Sequence, residues 1–142
     1  VHQGNGTAEI FQNNADVITF SMHGQSNYPF RKETSDYDIA LPDKTDDTTY
    51  LSILQETLPE LLNIHRPDFV FYLAGVDILG TDKLGKLGCT LEGCKTRDSY
   101  FLGFCKSLGI PVQVSMGGGY SPAIKTIIEA HANTYRVARA LY

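Results

Sequence analysis

Three short stretches rich in β-branched and aromatic residues punctuate the chain: residues 17 to 22 (Val-Ile-Thr-Phe-Ser-Met), 68 to 74 (Asp-Phe-Val-Phe-Tyr-Leu-Ala) and 111 to 116 (Pro-Val-Gln-Val-Ser-Met). Each is bounded by Gly, Pro or Asp, and the pattern predicts three strands. The middle one is almost continuously apolar rather than alternating, which predicts a strand covered by helices on both faces. Between the strands the apolar spacing changes to three and four. Leu51, Leu54, Leu58, Leu61 and Leu62 predict a helix from Asp46 to His65, with Thr45, Asp46 and Asp47 as cap and first-turn acids and Pro59 as a kink. Thr90 caps a second helix running to about Leu108, stopped by Gly109 before Pro111. Ser121-Pro122 opens a third, whose apolar stripe is Ile124, Ile127, Ile128, His131, Tyr135 and Ala138. A histidine on such a stripe reads most simply as a core residue.

Strands and helices thus alternate with connections long enough for crossovers, which predicts an α/β fold with a parallel, doubly wound sheet and helices on both faces. No internal repeat or low-complexity stretch interrupts it, and the acidic run Asp43 to Asp47 reads as a solvated helix start. Val1 runs directly into His-Gln-Gly-Asn-Gly-Thr without a cap or turn, as a strand interrupted midway would. One domain, incomplete at its front, is the expectation. A parallel sheet lacking its first strands exposes a long edge, so the residues alone are expected to be poorly stable.

At 142 residues, 42% apolar and 20% charged, the composition is that of a globular domain rather than a disordered or collagenous chain. A net charge of -4 argues against a broad electrostatic grip on nucleic acid or anionic lipid. The longest apolar run, Phe69 to Val76, falls well short of the roughly 18 residues that span a bilayer, and the start of the chain lacks a basic segment followed by an apolar one. Three cysteines, Cys89, Cys94 and Cys105, read as reduced thiols, and the 89/94 pair alone is a weak zinc signal.

In open parallel sheets ligands bind beyond the carboxyl ends of the strands. The loops there are Ser21-Met22-His23-Gly24, Gly75-Val76-Asp77 and Met116-Gly117-Gly118-Gly119-Tyr120. If Val1-His2 is itself the tail of a strand, then His2, Asp77 and Tyr120 converge on one edge, as a metal site with a neighbouring hydrogen-bond donor would. Each element alone has an ordinary explanation. A glycine run is more often a turn or a phosphate cradle, and this one lacks the Lys-Ser/Thr of a P-loop; an Asp after a strand often caps a turn.

Three blocks nevertheless stand in order: Val1-His2-Gln3-Gly4-Asn5-Gly6-Thr7, Ala74-Gly75-Val76-Asp77-Ile78-Leu79-Gly80-Thr81-Asp82-Lys83-Leu84-Gly85, and Gly117-Gly118-Gly119-Tyr120. They resemble the signature blocks of the zinc-dependent histone deacetylase family, with the Gln-Gly-Asn variant of the first similar to class IV members and bacterial relatives. The resemblance runs along essentially the whole chain and implies that residues 1–142 are the C-terminal portion of a single deacetylase catalytic domain of the arginase/deacetylase fold. It implies His2 and Asp77 as zinc ligands, Asn5 as a residue orienting a general-base histidine, Tyr120 as oxyanion donor, and Phe30, Leu84 and Gly118 lining a substrate tunnel. It further implies a potassium ion held by His2, Ser21 and Met22, and a second by Phe11, Asn14, Val17 and Tyr37. A third zinc ligand and the general-base histidines would precede Val1. His23 and Asp82 lie in the same loops and are assigned structural roles.

The expected activity is zinc-dependent hydrolysis of an acyl-amide, with an acetylated protein or a small acetylated amine as substrate, no direct nucleic-acid or membrane partner, and a requirement for the front part of the fold. The expected location is cytoplasmic in a bacterium, or cytoplasmic or nuclear in a eukaryote. Two other readings stand beside it: a non-catalytic module that binds acetyl-lysine, and a nucleotide-binding domain using the glycine run as a phosphate loop.

Overall fold

The computed structural model describes residues 1–142. The elements in chain order are α1 (Asn5–Phe11), β1 (Phe20–Gly24), β2 (Tyr37–Leu41), α2 (Asp47–His65), β3 (Val70–Gly75), α3 (Leu91–Ser107), β4 (Val112–Gly117) and α4 (Ile124–Leu141). β1 pairs in parallel with β2, from Phe20 opposite Tyr37 to Gly24 opposite Leu41. β3 pairs in parallel with β4, from Val70 opposite Val112 to Gly75 opposite Gly117. The parallel α/β architecture is as expected, but these four strands form two separate two-stranded sheets. Val1 lies between them: its carbonyl accepts from Gly24 N at 2.8 Å and its nitrogen lies 3.0 Å from Asp77 Oδ1, just past β3.

Local chemistry accounts for the helix ends. The Asp46 carboxylate accepts from Thr49 N at 2.9 Å to start α2, and Thr90 Oγ1 accepts from Gly93 N at 3.0 Å to start α3. Pro59 sits inside α2, where its missing N–H leaves the Gln55 carbonyl without a helical partner. Tyr100 of α3 donates its hydroxyl to that carbonyl at 3.4 Å, so the defect is also a contact between helices. Gly109 adopts φ 72°, the left-handed conformation that stops α3 at low cost.

Four expectations need correction. Asp47 is not simply solvated, because its carboxylate accepts from Thr90 N at 2.8 Å and Thr90 Oγ1 at 2.6 Å, tying the starts of α2 and α3 together. Ser121 does not cap α4; its hydroxyl bonds Thr81 Oγ1 at 2.7 Å, and the helix begins three residues later. The buried face of α4 is Ala130 and Thr134, flanked by Ile127, Val137, Ala138 and Leu141, whereas Ile124, Ile128 and Tyr135 are exposed. β3 is covered on one face only. Tyr72 stacks on Phe101 of α3 with ring centroids 4.0 Å apart, and Val114 beside it lies against α4, but Phe71 and Leu73 on the other face are 80% and 65% exposed. Both following helices pack on the same side.

The core runs from Leu41 through Leu54 and Leu58 to Val76, Ile78 and Leu102, with the thiols of Cys89, Cys94 and Cys105 buried within it. No helix is long and apolar enough to cross a membrane.

Candidate functional site

The loops that follow β1, β3 and β4 meet at the carboxyl ends of the strands, and the chain's first residues run in among them. His2 Nδ1 lies 2.9 Å from Asp77 Oδ2, and the other oxygen of Asp77 takes the Val1 nitrogen. Asp77 is buried, which disfavours its charged form, while the hydrogen bond with His2 favours it. Gly75 and Gly118 make room for this carboxylate. A Cβ on Gly75 would come within 2.7 Å of Asp77 Oδ1, and one on Gly118 within 2.5 Å of Asp77 Cγ. Gly118 and Gly119 have φ 64° and 112°, so the glycine run meets both a steric and a conformational demand.

Tyr120 follows that turn and is 58% exposed. Its position is set by Asp82, whose carboxylate accepts from Tyr120 N at 2.6 Å, Leu84 N at 2.9 Å and Gly85 N at 2.8 Å. One buried side chain thereby laces the loop after β3 to the loop after β4. Asn27 does the same on the far side, donating Nδ2 to Leu84 O at 2.7 Å and accepting from Lys86 N at 3.2 Å. Phe30 and Leu84 are both presented at the surface, 87% and 53% exposed. Phe30 packs edge-on against Tyr28 with centroids 6.2 Å apart, so it is not a core residue. His131 is not one either: it is half-buried on α4 with Nε2 3.4 Å from Gly118 O, against the glycine turn.

Among the remaining candidates, Asn5 is exposed at the start of α1. Ser21, in β1 with Met22, comes near the His2 segment through Gly4 N, 3.4 Å from its hydroxyl. Its Oγ also lies 3.1 Å from His23 Nδ1, and burial depresses the basicity of that imidazole. Phe11, Asn14 and Val17 share the turn between α1 and β1, where Phe11 O accepts from Asn14 N and Asn14 O from Val17 N. Tyr37 opens β2 opposite Phe20, its hydroxyl 2.8 Å from His65 Nε2.

An imidazole nitrogen beside a carboxylate oxygen, at a turn whose glycines leave room for the carboxylate, is a donor pair of the kind zinc takes. No set of three His, Cys, Asp or Glu side chains forms a complete metal shell. Asp82 and Asn27 act through backbone amides, a role no spacing reveals. Asp82 thus has the structural role expected of it, whereas Asn27 and Arg97 lie outside the expected set; Arg97 is buried behind the Asp77 loop and donates Nη1 to Gly75 O at 2.6 Å.

Comparison with known proteins gives these residues a context. The sequence profile of the histone deacetylase domain matches residues 1–135. An uncharacterized protein of Picosynechococcus is 46% identical over all 142 residues, which cover 47% of its length. Histone deacetylase RPD3 of Saccharomyces cerevisiae is 30% identical over 132 residues, covering 85% of this chain and 30% of the yeast protein. Among solved structures, the HDA15 HD domain superposes with a TM-score of 0.77 at 26% identity, over 98% of this chain and 43% of that one. Acetylpolyamine aminohydrolase from Burkholderia pseudomallei superposes with the same TM-score at 24% identity, over 99% of this chain and 43% of its own. The chain spans less than half the length of each of these relatives.

Proposed function

Since the chain belongs to the histone deacetylase domain family, we propose that it forms part of the active site of a zinc-dependent amidohydrolase that removes an acetyl group from acetyl-lysine or from a small acetylated amine. The observation that carries this reading is the approach of His2 Nδ1 to Asp77 Oδ2 at 2.9 Å, beside the Gly118 turn that leads into Tyr120.

His2 and Asp77 would hold the zinc, together with a third ligand, since a catalytic zinc takes three protein ligands and keeps one position open. When bound, the ion supplies a water of lowered pKa and polarisation of the acyl carbonyl. The chain's own residues do the rest of the work assigned to them here. Tyr120 donates one hydrogen bond from its hydroxyl to the oxygen that becomes anionic as the carbonyl turns tetrahedral. The Gly118 turn lets the acyl group approach the backbone without meeting a Cβ. Phe30 and Leu84 offer apolar surface to the methylene stem of the substrate. Asn5 would orient a base histidine, and a potassium ion held by His2, Ser21 and Met22 would fix β1 against the His2 segment.

The test is deacetylation of a fluorogenic acetyl-lysine peptide and of an acetylated polyamine by the whole protein. Activity should vanish on chelation, return with zinc and fall steeply in Tyr120→Phe. Turnover unaffected by chelation contradicts the proposal. Binding of acetylated peptide without product release would point instead to recognition of acetyl-lysine without cleavage.

A further inference from the structure

A charged cluster lies directly behind the Asp77 loop, enclosed by α3 and α4. Arg97 and Asp98 are consecutive on α3 and are buried, 4% and 0% exposed. Arg97 Nε donates to Asp98 Oδ1 at 2.9 Å, and Nη2 lies 2.8 Å from the same oxygen. Asp98 Oδ1 also accepts the Tyr72 hydroxyl at 2.6 Å, and Asp98 Oδ2 accepts the Thr134 hydroxyl of α4 at 2.7 Å. The guanidinium carbon sits 5.8 Å from the centroid of the Tyr72 ring. A guanidinium fork held at so many points has one direction left in which to point, and Nη1 points at Gly75 O, 2.6 Å away.

A buried ion pair is a poor way to gain stability, because desolvating each charge costs several kcal/mol and apolar side chains of similar volume often do as well. What this pair provides is a fixed donor at the last residue of β3. Gly75 is also the residue whose Cα faces the carboxylate of Asp77, a Cβ there coming 2.7 Å from Oδ1. The next amide, Val76 N, is held by Gly117 O at 2.9 Å. The turn that aims Asp77 is therefore gripped from the β4 side by a backbone bond and from the helix side by Arg97.

We propose that Arg97, braced by Asp98, is a positioning residue that fixes the Gly75-Val76-Asp77 turn from behind and thereby sets the aim of the Asp77 carboxylate toward a metal ion. The metal part rests on the proposed zinc reading; the mechanical part does not. A lysine at position 97 would keep the positive charge, but it cannot reach Asp98 and Gly75 O together in the same fork.

The experiment uses the whole protein as wild type, Arg97→Lys and Thr134→Val. The last removes a different partner of Asp98 and leaves the bond to Gly75 O in place. Amide hydrogen exchange reads the turn without any metal. Arg97→Lys should speed exchange at Val76, Asp77 and Ile78 at least about tenfold beyond its change in global stability, and Thr134→Val should not. Cobalt affinity and its visible absorption read the second part, with Arg97→Lys binding about ten to a hundred times more weakly and with an altered spectrum. If Arg97→Lys does not fold, Asp98→Asn, which keeps the shape and one acceptor, is expected to give the same two changes at smaller size. Equal exchange at residues 76–78 in all variants overturns the positioning role. Wild-type protein that takes up no cobalt overturns the zinc reading, and exchange alone then decides the role of Arg97.

Discussion

Gly118 lies so close to Asp77 that a Cβ at the glycine would sit 2.5 Å from the carboxylate carbon. Its φ of 64° adds a second demand, since a left-handed backbone costs a side-chain-bearing residue about 1–2 kcal/mol before any clash. Gly118→Ala should therefore lower stability by at least that much and swing Asp77 away from His2. Chemical denaturation measures the first effect, and the separation of His2 Nδ1 from Asp77 Oδ2 in the variant's structure measures the second.

Tyr120 carries no packing duty comparable to its proposed chemical one, the residue being more than half exposed. Tyr120→Phe should leave the melting temperature within a degree or two, while kcat falls about 10²–10³-fold, the loss that follows removal of one oxyanion donor. Steady-state kinetics of the whole protein, with melting as the control, checks this.

Asp82 satisfies three backbone N–H groups from two loops. Asp82→Ala leaves them without that partner, at an expected cost of about 1–3 kcal/mol. The effect should be local as well as global. Exchange at the Leu84, Gly85 and Tyr120 amides should rise together, which amide hydrogen exchange resolves residue by residue.

Burial pushes the Cys89 thiol up to about 12 and the Cys105 thiol up to about 11. At pH 8 the Cys89 thiolate is then on the order of one part in 10⁴, too little for ready alkylation. The folded chain holds these protons more tightly than the unfolded one, so this contribution to stability is present below about pH 8.5 and is lost as pH rises toward 11 and 12. Native protein at pH 8 should resist iodoacetamide at both positions and react at both once denatured. Denaturation midpoints between pH 8 and 10 should fall with rising pH.

The signals that made the architecture legible are the strong local ones. The leucine spacing of α2, Thr90 at the start of α3 and Gly109 after it each state a local preference that the fold respects. β2 was not legible because Tyr-Asp-Ile-Ala-Leu is short, mixed and lies against β1 at a register no local rule sets. α1 was missed for a related reason, being short and lacking a side-chain cap. The stripe on α4 misled because Ile124, Ile128 and Tyr135 are apolar yet stay exposed, while small Ala130 and polar Thr134 are buried, Thr134 by bonding Asp98. His2 and Asp77, 75 positions apart, were legible as neighbours because both follow the expected carboxyl ends of strands in a parallel sheet, a placement the ordered motifs then reinforced. Asp82 and Arg97 stayed hidden in their full roles because both work through backbone groups, whose partners are decided by tertiary structure.

If His2 and Asp77 share one zinc ion, an anomalous difference map recorded at the zinc edge from crystals of the whole protein should reveal it. One peak is expected about 2.0–2.2 Å from both His2 Nδ1 and an Asp77 carboxylate oxygen, gone in His2→Ala. A peak bound elsewhere, or none after zinc loading, would contradict it.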